Sequence, residues 1–359
     1  MGHLKTKGVL ILQEILRLQI KIIPELIDIL EKRYSILRTI YFNQPIGRRI
    51  LANKLQLGER IIRTEIGFLK DQNLIDINAS GMTMTKDGEE IIEKLKEYML
   101  QIKGITNIEA NLKESLKVSK VIVVPGNIEE DGSVLKELAK AAATFLKDVI
   151  KENDIIALTG GTTIKEVVDS FPKVTQFSNI LVVPSRGGMG RKVETQANTL
   201  ASILANKLNG NYKMLHIPDN ISQEVMESLM KEKEIKDAVE TIHKANILIY
   251  GIGNAEHMAR KRGISEEKVK ELISLGAVAE AYGCYFNING EVIYSTPTLG
   301  ISLNDTDKID VHLAVAGGKN KAKAILSSCK NNHKAVIVTD ESAGREIIKL
   351  LEEKNESNE

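Results

Sequence analysis

Two kinds of hydrophobic pattern divide the chain. In roughly the first third, apolar residues recur every three or four positions, the spacing of amphipathic helices, and predict two N-terminal helices over 8–19 and 24–41. From residue 120 onward, short uninterrupted runs of β-branched and other apolar residues alternate with helical segments. Such runs are typical of parallel strands that are covered by helices on both faces. The pattern therefore predicts an α/β protein whose C-terminal domain is a doubly wound, Rossmann-like sheet.

Residues 44–85 carry the pattern of a winged helix-turn-helix. A short helix after Pro45 is followed by a turn at Gly58 and by a second helix, whose apolar residues Ile62, Ile66 and Leu69 form one face. A strand-turn-strand pattern around 78–81 then predicts the wing. The alternative is a helical module that does not bind DNA.

The charge distribution supports double-stranded DNA as a partner. The whole chain has a net charge of only +1, but the segment 32–70 contains nine basic and two acidic residues. Its local charge of +7 leaves −6 on the remainder, and a basic second helix fits the major groove. A solvated coat of surface charge is the alternative. The predicted DNA-binding residues are Arg48, Arg49, Arg60, Arg63, Thr64, Lys70, Thr83 and Thr85.

A helical segment connects the two parts. Between 87 and 116 most apolar residues fall at alternating steps of four and three, the seam of a coiled coil, and only Glu109 departs from the pattern. This spacing predicts a helical connector that pairs the DNA-binding domains in a homodimer or tetramer. A long helix packed on its own domain is the alternative.

Glycine-rich loops follow four of the predicted strands, at 159–163, 184–188, 251–255 and 316–322. Ligands bind at the carboxyl ends of parallel strands, and glycine backbones and helix N-termini bind anions. Cations accompany three of the loops, and Arg186 can grip a phosphate with two hydrogen bonds. We therefore predict an anionic small-molecule site, with glycine serving only the turns as the alternative. The sequence contains neither a Walker lysine motif nor GxGxxG, so a nucleotide is not indicated as the ligand.

Composition excludes other classes of protein. No run approaches the roughly 20 apolar residues of a membrane helix, and the first residues lack the features of a secretory signal. The two cysteines, Cys284 and Cys329, show neither metal-ligand nor disulfide spacing. A cytoplasmic protein with no metal and no cofactor is expected.

Five motifs together resemble the SorC/DeoR-type sugar-responsive bacterial repressors, over nearly the whole chain. The motifs are Pro45-Ile-Gly-Arg-Arg, Leu158-Thr-Gly-Gly-Thr-Thr, Ser185-Arg-Gly-Gly, Gly251-Ile-Gly-Asn-Ala and Ala316-Gly-Gly-Lys-Asn-Lys-Ala. The resemblance implies an effector domain akin to sugar-phosphate isomerases and deaminases that senses a glycolytic phosphosugar, with fructose-1,6-bisphosphate as the expected effector. The effector-binding residues implied in this way or by the loops are Thr159, Gly160, Gly161, Thr162, Thr163, Arg186, Gln196, Arg260, Lys261, Glu280 and Lys321.

The expected function is a transcriptional repressor whose operator affinity depends on the phosphosugar. The alternative is a sugar-phosphate isomerase or deaminase, for which Glu256 and His257 are conceivable bases although the Asp-Gly-His run of the deaminases is missing. Glu280 has two interpretations, an acceptor for sugar hydroxyls or an exposed loop carboxylate. The predicted segments are a DNA-binding domain over 1–88, the connector over 89–118, the effector and oligomerisation domain over 119–351 and a disordered tail over 352–359.

Overall fold

The chain folds as two compact units, Met1–Lys103 and Gly104–Glu359. The computed structural model describes residues 21–102, 104–188, 192–218 and 221–356. The helix predicted over 8–19 lies outside the described residues. None of the helices in these ranges is both long and apolar enough to cross a membrane.

Unit 1 is a winged helix-turn-helix, as the sequence predicts. Its elements in chain order are α1 (Pro24–Asn43), α2 (Arg48–Leu55), α3 (Glu59–Asp71), β1 (Ile75–Asn78), β2 (Gly81–Met84) and α4 (Lys86–Ile102). β1 and β2 form an antiparallel hairpin, and Ile46 adds a backbone bridge to Met82 with N···O distances of 3.1 and 2.8 Å. Four helices and a small sheet thus enclose one core.

The core of unit 1 is built from the apolar faces that the helical spacing predicts. Ile40 of α1, Leu51 of α2 and Ile62 of α3 are fully buried, and Met82 of β2 and Met99 of α4 close the core. Removing this much apolar surface from water is the main favourable contribution to the folding of the unit.

The segment predicted as one helical connector contains two helices. α4 ends at Ile102, Gly104 has a φ of +65°, and α5 follows as Ile105–Leu116. A positive φ is strained for any residue with a Cβ, so glycine permits the break. α5 is the first helix of unit 2 and packs against the rest of that unit with its buried residues Ile105, Ile108, Leu112 and Leu116.

Glu109, which departs from the heptad pattern, has a structural function in α5. Its carboxylate accepts a hydrogen bond of 2.8 Å from the backbone N–H of Val123, on an edge strand. Because an edge strand has unpaired backbone groups, this contact both satisfies a donor and fixes α5 to the sheet. The predicted pairing of two chains through 89–118 stays a prediction.

Unit 2 is a parallel sheet between layers of helices, with an antiparallel extension. Its strands are β3 (Lys120–Val124), β4 (Ile155–Leu158), β5 (Leu181–Pro184), β6 (Asn211–Tyr212), β7 (Ile247–Asn254), β8 (Ala277–Ala281), β9 (Cys284–Asn287), β10 (Val292–Ser295), β11 (Val311–Val315) and β12 (Ala335–Asp340). Its further helices are α6 (Ser133–Val149), α7 (Thr162–Ser170), α8 (Ala197–Lys207), α9 (Gln223–Leu229), α10 (Lys233–Ile242), α11 (Ala255–Lys261), α12 (Glu266–Ser274), α13 (Ala322–Cys329) and α14 (Glu341–Glu356). Three 3-10 turns lie at Val193–Thr195, Leu303–Lys308 and Lys319–Lys321.

The parallel strands lie in the order β6-β5-β4-β7-β11-β12-β3. The chain passes from the edge strand β3 to the central strand β4, builds outward to β6, and returns to β7 on the other side of β4. Strand order therefore reverses between β4 and β7, and an open α/β sheet binds ligands outside the carboxyl ends at such a point.

Two features of unit 2 differ from the sequence prediction. The strand predicted over 214–216 is wrong: β6 is Asn211–Tyr212, because the side-chain amide of Asn198 takes both backbone groups of Leu215, each at 3.0 Å. The antiparallel strands β8, β9 and β10, which continue from the end of β7, were not predicted.

The predicted disordered tail is also wrong over 352–356, where α14 continues to Glu356. An ion pair one helical turn apart, Lys349 with Glu353 at 3.7 Å, supports this last part of the helix, and Lys354 donates to the Asn289 side chain at 2.9 Å. Residues 357–359 lie outside the described residues.

The fully buried carboxylate of Asp340 ties together the carboxyl end of the sheet. It accepts hydrogen bonds from the backbone N–H groups of Ile128 at 2.8 Å, Gly318 at 3.0 and 3.1 Å, and Ala343 at 3.0 Å. These donors belong to the loops after β3 and β11 and to the first turn of α14. Three separate segments therefore depend on one side chain.

Asp340→Ala is expected to lower the free energy of unfolding by about 3 kcal/mol, because buried N–H donors lose their acceptor. Urea denaturation of the full chain measures this change. Asp310→Ala, at an exposed position, is the matched control and should change stability little. Equal stability of the two variants would contradict the structural importance of the Asp340 contacts.

Candidate functional site

Unit 1 presents basic side chains on two consecutive helices. The buried residues of α3 are Ile62, Glu65, Ile66 and Leu69, so the rest of the helix faces outward. Six predicted DNA-binding residues are exposed, two at the start of α2 and four on α3: Arg48, Arg49, Arg60, Arg63, Thr64 and Lys70. The structure thus places these side chains on one helix-turn-helix, as a groove-binding element requires.

Glu65 anchors the second helix of this motif to α1. Its buried carboxylate pairs with Lys32 at 2.8 Å and Arg33 at 2.9 Å, and Arg33 also lies 3.5 Å from the centroid of the Phe68 ring. Burial acts to raise the pKa of Glu65, but the hydrogen bonds from the two cations outweigh it and leave the pKa below its ordinary 4.5. The basic face of α3 is therefore held in a defined orientation.

The wing contributes little positive charge. Thr83 is half-buried on β2, and the Thr85 hydroxyl donates to the Asn73 carbonyl at 2.7 Å and accepts from Gly88 N–H at 3.0 Å. The Thr85 hydroxyl is thus engaged at the start of α4. Residues 71–85 contain no lysine or arginine, so the positive charge of unit 1 near the wing lies on α2 and α3.

In unit 2 three of the predicted glycine-rich loops follow β5, β4 and β11, but the loop predicted at 251–255 is wrong: Gly251–Asn254 continue β7, because 252–254 pair with β8, and α11 begins at Ala255. The strand order places β5, β4, β7 and β11 side by side, and in register Leu158 pairs with Pro184 and Ile249 while Val315 pairs with Gly251. The loops therefore leave the same edge of the sheet at neighbouring positions. This is the arrangement that the sequence predicts for an anionic ligand site.

The first loop presents backbone donors at the start of α7. The carbonyl of Thr195 accepts from Gly161 N–H at 2.9 Å, and a Cβ on Gly160 would lie 2.6 Å from the same oxygen. Gly161 has a φ of +121°, which strongly favours glycine. The residue before α7 is glycine and offers no side-chain cap, so the first N–H groups of this helix, those of Thr162 and Thr163, are candidate donors to an anion.

Arg186 and Glu280 hold the turn between β8 and β9. Both side chains are buried: Arg186 donates to the carbonyls of Tyr282 and Thr296 at 2.5 and 3.3 Å, and Glu280 accepts from Gly283 N–H at 2.6 Å. Tyr282 has a φ of +38°, so the turn is strained. Glu280 is therefore not the exposed loop carboxylate that was one of its two interpretations, and its contact with a sugar stays a prediction.

The three consecutive basic residues Arg260, Lys261 and Arg262 lie in different environments. Arg260 forms ion pairs with Glu256 at 2.7 Å and Glu266 at 2.8 Å, and Arg262 pairs with Glu280 at 2.7 Å in the interior. Lys261 is exposed between them. The structure thus gives the predicted ligand Arg260 two acidic partners and leaves Lys261 facing outward.

Lys261, the last residue of α11, and Lys321, in the 3-10 turn after β11, are like charges close enough to affect each other. Burial lowers the pKa of Lys321 below the ordinary 10.5, and repulsion by Lys261 lowers it further, while Asp340 and Glu129 act in the opposite direction. In the part of the chain that the structure describes, neither lysine forms an ion pair. An anion between them would relieve the repulsion.

Two acidic residues that the sequence analysis missed shape this region. Glu129 accepts from Asn320 N–H at 3.2 Å, and Asp340 holds Gly318. The signal in the sequence was Asp340 itself, an acidic residue at the end of a buried strand and directly before a helix. Gln196, which the resemblance implies as a ligand, is half-buried, and its side-chain oxygen faces Gly188 of the second loop.

Fold and geometry define a class of protein: a winged-helix DNA-binding unit joined to a parallel-sheet ligand-binding unit. The family model of the sugar-binding domain (Sugar-bind) matches residues 101–349, and that of the CggR N-terminal DNA-binding domain matches 29–99. The chain belongs to this family of SorC-type transcriptional regulators with a CggR DNA-binding domain.

Individual relatives support this assignment. The chain is 39% identical to the central glycolytic genes regulator of Priestia megaterium, over 94% of this chain and 99% of the relative. It is 38% identical to the regulator of the same name from Bacillus subtilis, over 94% of this chain and 99% of the relative. A crystal structure of a SorC family transcriptional regulator from Enterococcus faecalis is 35% identical with a TM-score of 0.63, over 67% of this chain and 99% of that one. These relatives are transcriptional regulators and not enzymes.

Binding of a phosphorylated ligand is expected to weaken as the pH rises. Above neutral pH a phosphate stays doubly ionised, whereas Lys321, with its lowered pKa, loses its charge at a lower pH than an ordinary lysine does. Calorimetric titration of fructose-1,6-bisphosphate at a series of pH values above neutral measures the effect. Lys321→Arg should remove most of it, and an identical pH dependence in both proteins would contradict the contact.

Proposed function

We propose that the chain represses glycolytic genes by binding operator DNA through α2 and α3, and that a phosphorylated sugar in unit 2 lowers this affinity. The effector is fructose-1,6-bisphosphate. Unit 1 holds the DNA and unit 2 holds the effector. The protein acts as a homo-oligomer, since a winged helix-turn-helix that reads two half-sites needs two copies.

The pair Lys261 and Lys321 is the observation that carries the effector proposal. Burial and the charge of Lys261 both disfavour the charged form of Lys321, and a bound anion would offset both effects. Phosphate, with a charge of about −1.5 to −2 at pH 7, satisfies this requirement better than a neutral sugar does.

A second phosphate has its own candidate site in the first turn of α7. The N–H groups of Thr162 and Thr163 there have the geometry of a helix N-terminus, which favours an anion. α7 follows β4, whereas the lysine pair follows β7 and β11, so the two anion sites belong to neighbouring strands on the two sides of the switch in strand order. This separation supports a bisphosphate.

The remaining predicted ligands take supporting positions in this proposal. Gln196 and Thr159 border the first loop, where the Thr159 hydroxyl lies 3.4 Å from Gly251 N. Arg186 and Glu280 fix the turn before β9, and Arg260 orients α11 through its acidic partners. A ligand that replaced the contacts of Arg186 or Glu280 would change the packing of the β8–β9 turn.

The relatives' names support glycolytic genes as the target, since two of them are central glycolytic genes regulators. The basic face of unit 1 supports DNA binding through phosphate contacts, which carry most of the affinity of such domains.

Fructose-1,6-bisphosphate is expected to weaken operator binding by about 5–150-fold, the usual range of coupling between two sites. Fluorescence anisotropy with a duplex that the chain selects from a randomised library measures the affinity. Fructose 6-phosphate, dihydroxyacetone phosphate, inorganic phosphate and free fructose form the comparison panel. An equal effect of free fructose, or no effect of any phosphosugar, would overturn the effector proposal.

Reversing the charge of both Arg60 and Arg63 with glutamate should reduce affinity for the duplex by about 100-fold or more, because phosphate contacts become repulsive. Binding of fructose-1,6-bisphosphate should not change. Lys151→Glu with Lys233→Glu is the control, since it makes the same change of charge at exposed positions of unit 2. Similar losses of DNA affinity in both double variants would show that α3 is not the DNA-binding helix.

A further inference from the structure

Three glycines lie inside α-helices in the described ranges: Gly67 in α3, Gly88 in α4 and Gly344 in α14. A glycine within a helix is less stable than alanine at the same position, because it loses more backbone freedom on folding and contributes no side chain. Each of the three therefore needs a reason.

Packing explains two of them. A Cβ on Gly88 would lie 2.1 Å from the carbonyl oxygen of Leu74, and a Cβ on Gly344 would lie 2.9 Å from the Ile108 side chain. Neither position accommodates a larger residue without a shift of its neighbours. A Cβ on Gly67, in contrast, would meet no atom within 4 Å outside its own helix backbone and adjacent residues. Among the described residues, none prevents a larger side chain at this position.

The position of Gly67 on α3 indicates what requires it. Gly67 follows Arg63 by four residues and Thr64 by three, and it precedes Lys70 by three and Asp71 by four, so these residues surround it on the helix surface. All four neighbours are exposed; two are cationic and one, Asp71, is acidic. The face of α3 opposite the buried residues Ile62, Ile66 and Leu69 is therefore a basic surface with a gap at its centre.

We propose that Gly67 is the point at which duplex DNA approaches the backbone of α3 most closely. The missing side chain lets the helix lie deep in the major groove, so that Arg63 and Lys70 reach DNA on both sides of the gap. Gly67 is thus a specificity-determining position that acts by leaving space. This inference rests on the proposed DNA binding through α3.

The test uses the full chain and the duplex that the unmodified protein selects from a randomised library. Gly67→Ala should raise the midpoint of thermal unfolding, since the helix gains a better former, yet weaken duplex binding by about tenfold or more, the loss typical of a disrupted direct contact. If Gly67 had a purely structural role, Gly67→Ala would lower the midpoint of thermal unfolding.

Gly67→Lys separates close approach from charge. If charge alone determined affinity, the added lysine would strengthen binding to DNA. If DNA approaches the backbone closely at Gly67, the long side chain should make Gly67→Lys bind more weakly than Gly67→Ala does. Ser80→Lys, at the exposed turn of the wing, is the matched control and should bind the duplex at least as tightly as the unmodified protein.

Two outcomes overturn the inference and are distinguishable from failure of the proposed function. If the unmodified protein selects no duplex, DNA binding itself fails and the inference with it. If it selects a duplex that Gly67→Ala binds equally well, or that Gly67→Lys binds more tightly, DNA does not approach α3 at Gly67 while the proposed function stands. Unchanged binding of fructose-1,6-bisphosphate by the variants shows that unit 2 is intact.

Discussion

The carboxylate of Asp340 is the interaction on which the ligand-binding end of unit 2 depends. It holds the loop after β11 through Gly318, the loop after β3 through Ile128 and the start of α14 through Ala343. Buried backbone N–H groups need acceptors, and a single charged acceptor serves several of them. The loop that bears Lys321 therefore has a defined position before any anion binds. Such preorganisation reduces the entropy that a ligand loses on ordering its site.

Asp340 is also connected, through α14 and α5, to the first residues of unit 2. α14 follows Asp340 directly and packs on α5, where Gly344 lets the helices approach closely enough that a Cβ would lie 2.9 Å from Ile108. Glu109 of α5 in turn holds the edge of the sheet at Val123. α5 starts directly after Gly104, where the two units divide. The packed helices α14 and α5 thus connect the loop that bears Lys321 to the first residues of unit 2.

Much of this architecture follows from local sequence, and the exceptions have identifiable causes. The helix-turn-helix, its wing and six of the seven predicted parallel strands are present because apolar periodicity and turn residues agree with burial. The strand at 214–216 fails because a distant side chain, Asn198, takes its hydrogen bonds. The heptad pattern across 87–116 did not reveal the break at Gly104. The helix before it, α4, is buried in the core of unit 1, and the helix after it, α5, is buried in unit 2. The partners of Arg186 and Glu280 depend on the unpredicted strands β8 and β9, so no local signal revealed them.

Reciprocal coupling between the two ligands is the central claim of this account. Calorimetric titration of fructose-1,6-bisphosphate into the full chain, with and without saturating operator duplex, measures it directly. Linkage requires that the operator weaken effector binding by the same factor by which the effector weakens operator binding, about 5–150-fold. The account predicts this equality. Equal effector affinity in the free and operator-bound protein would contradict it.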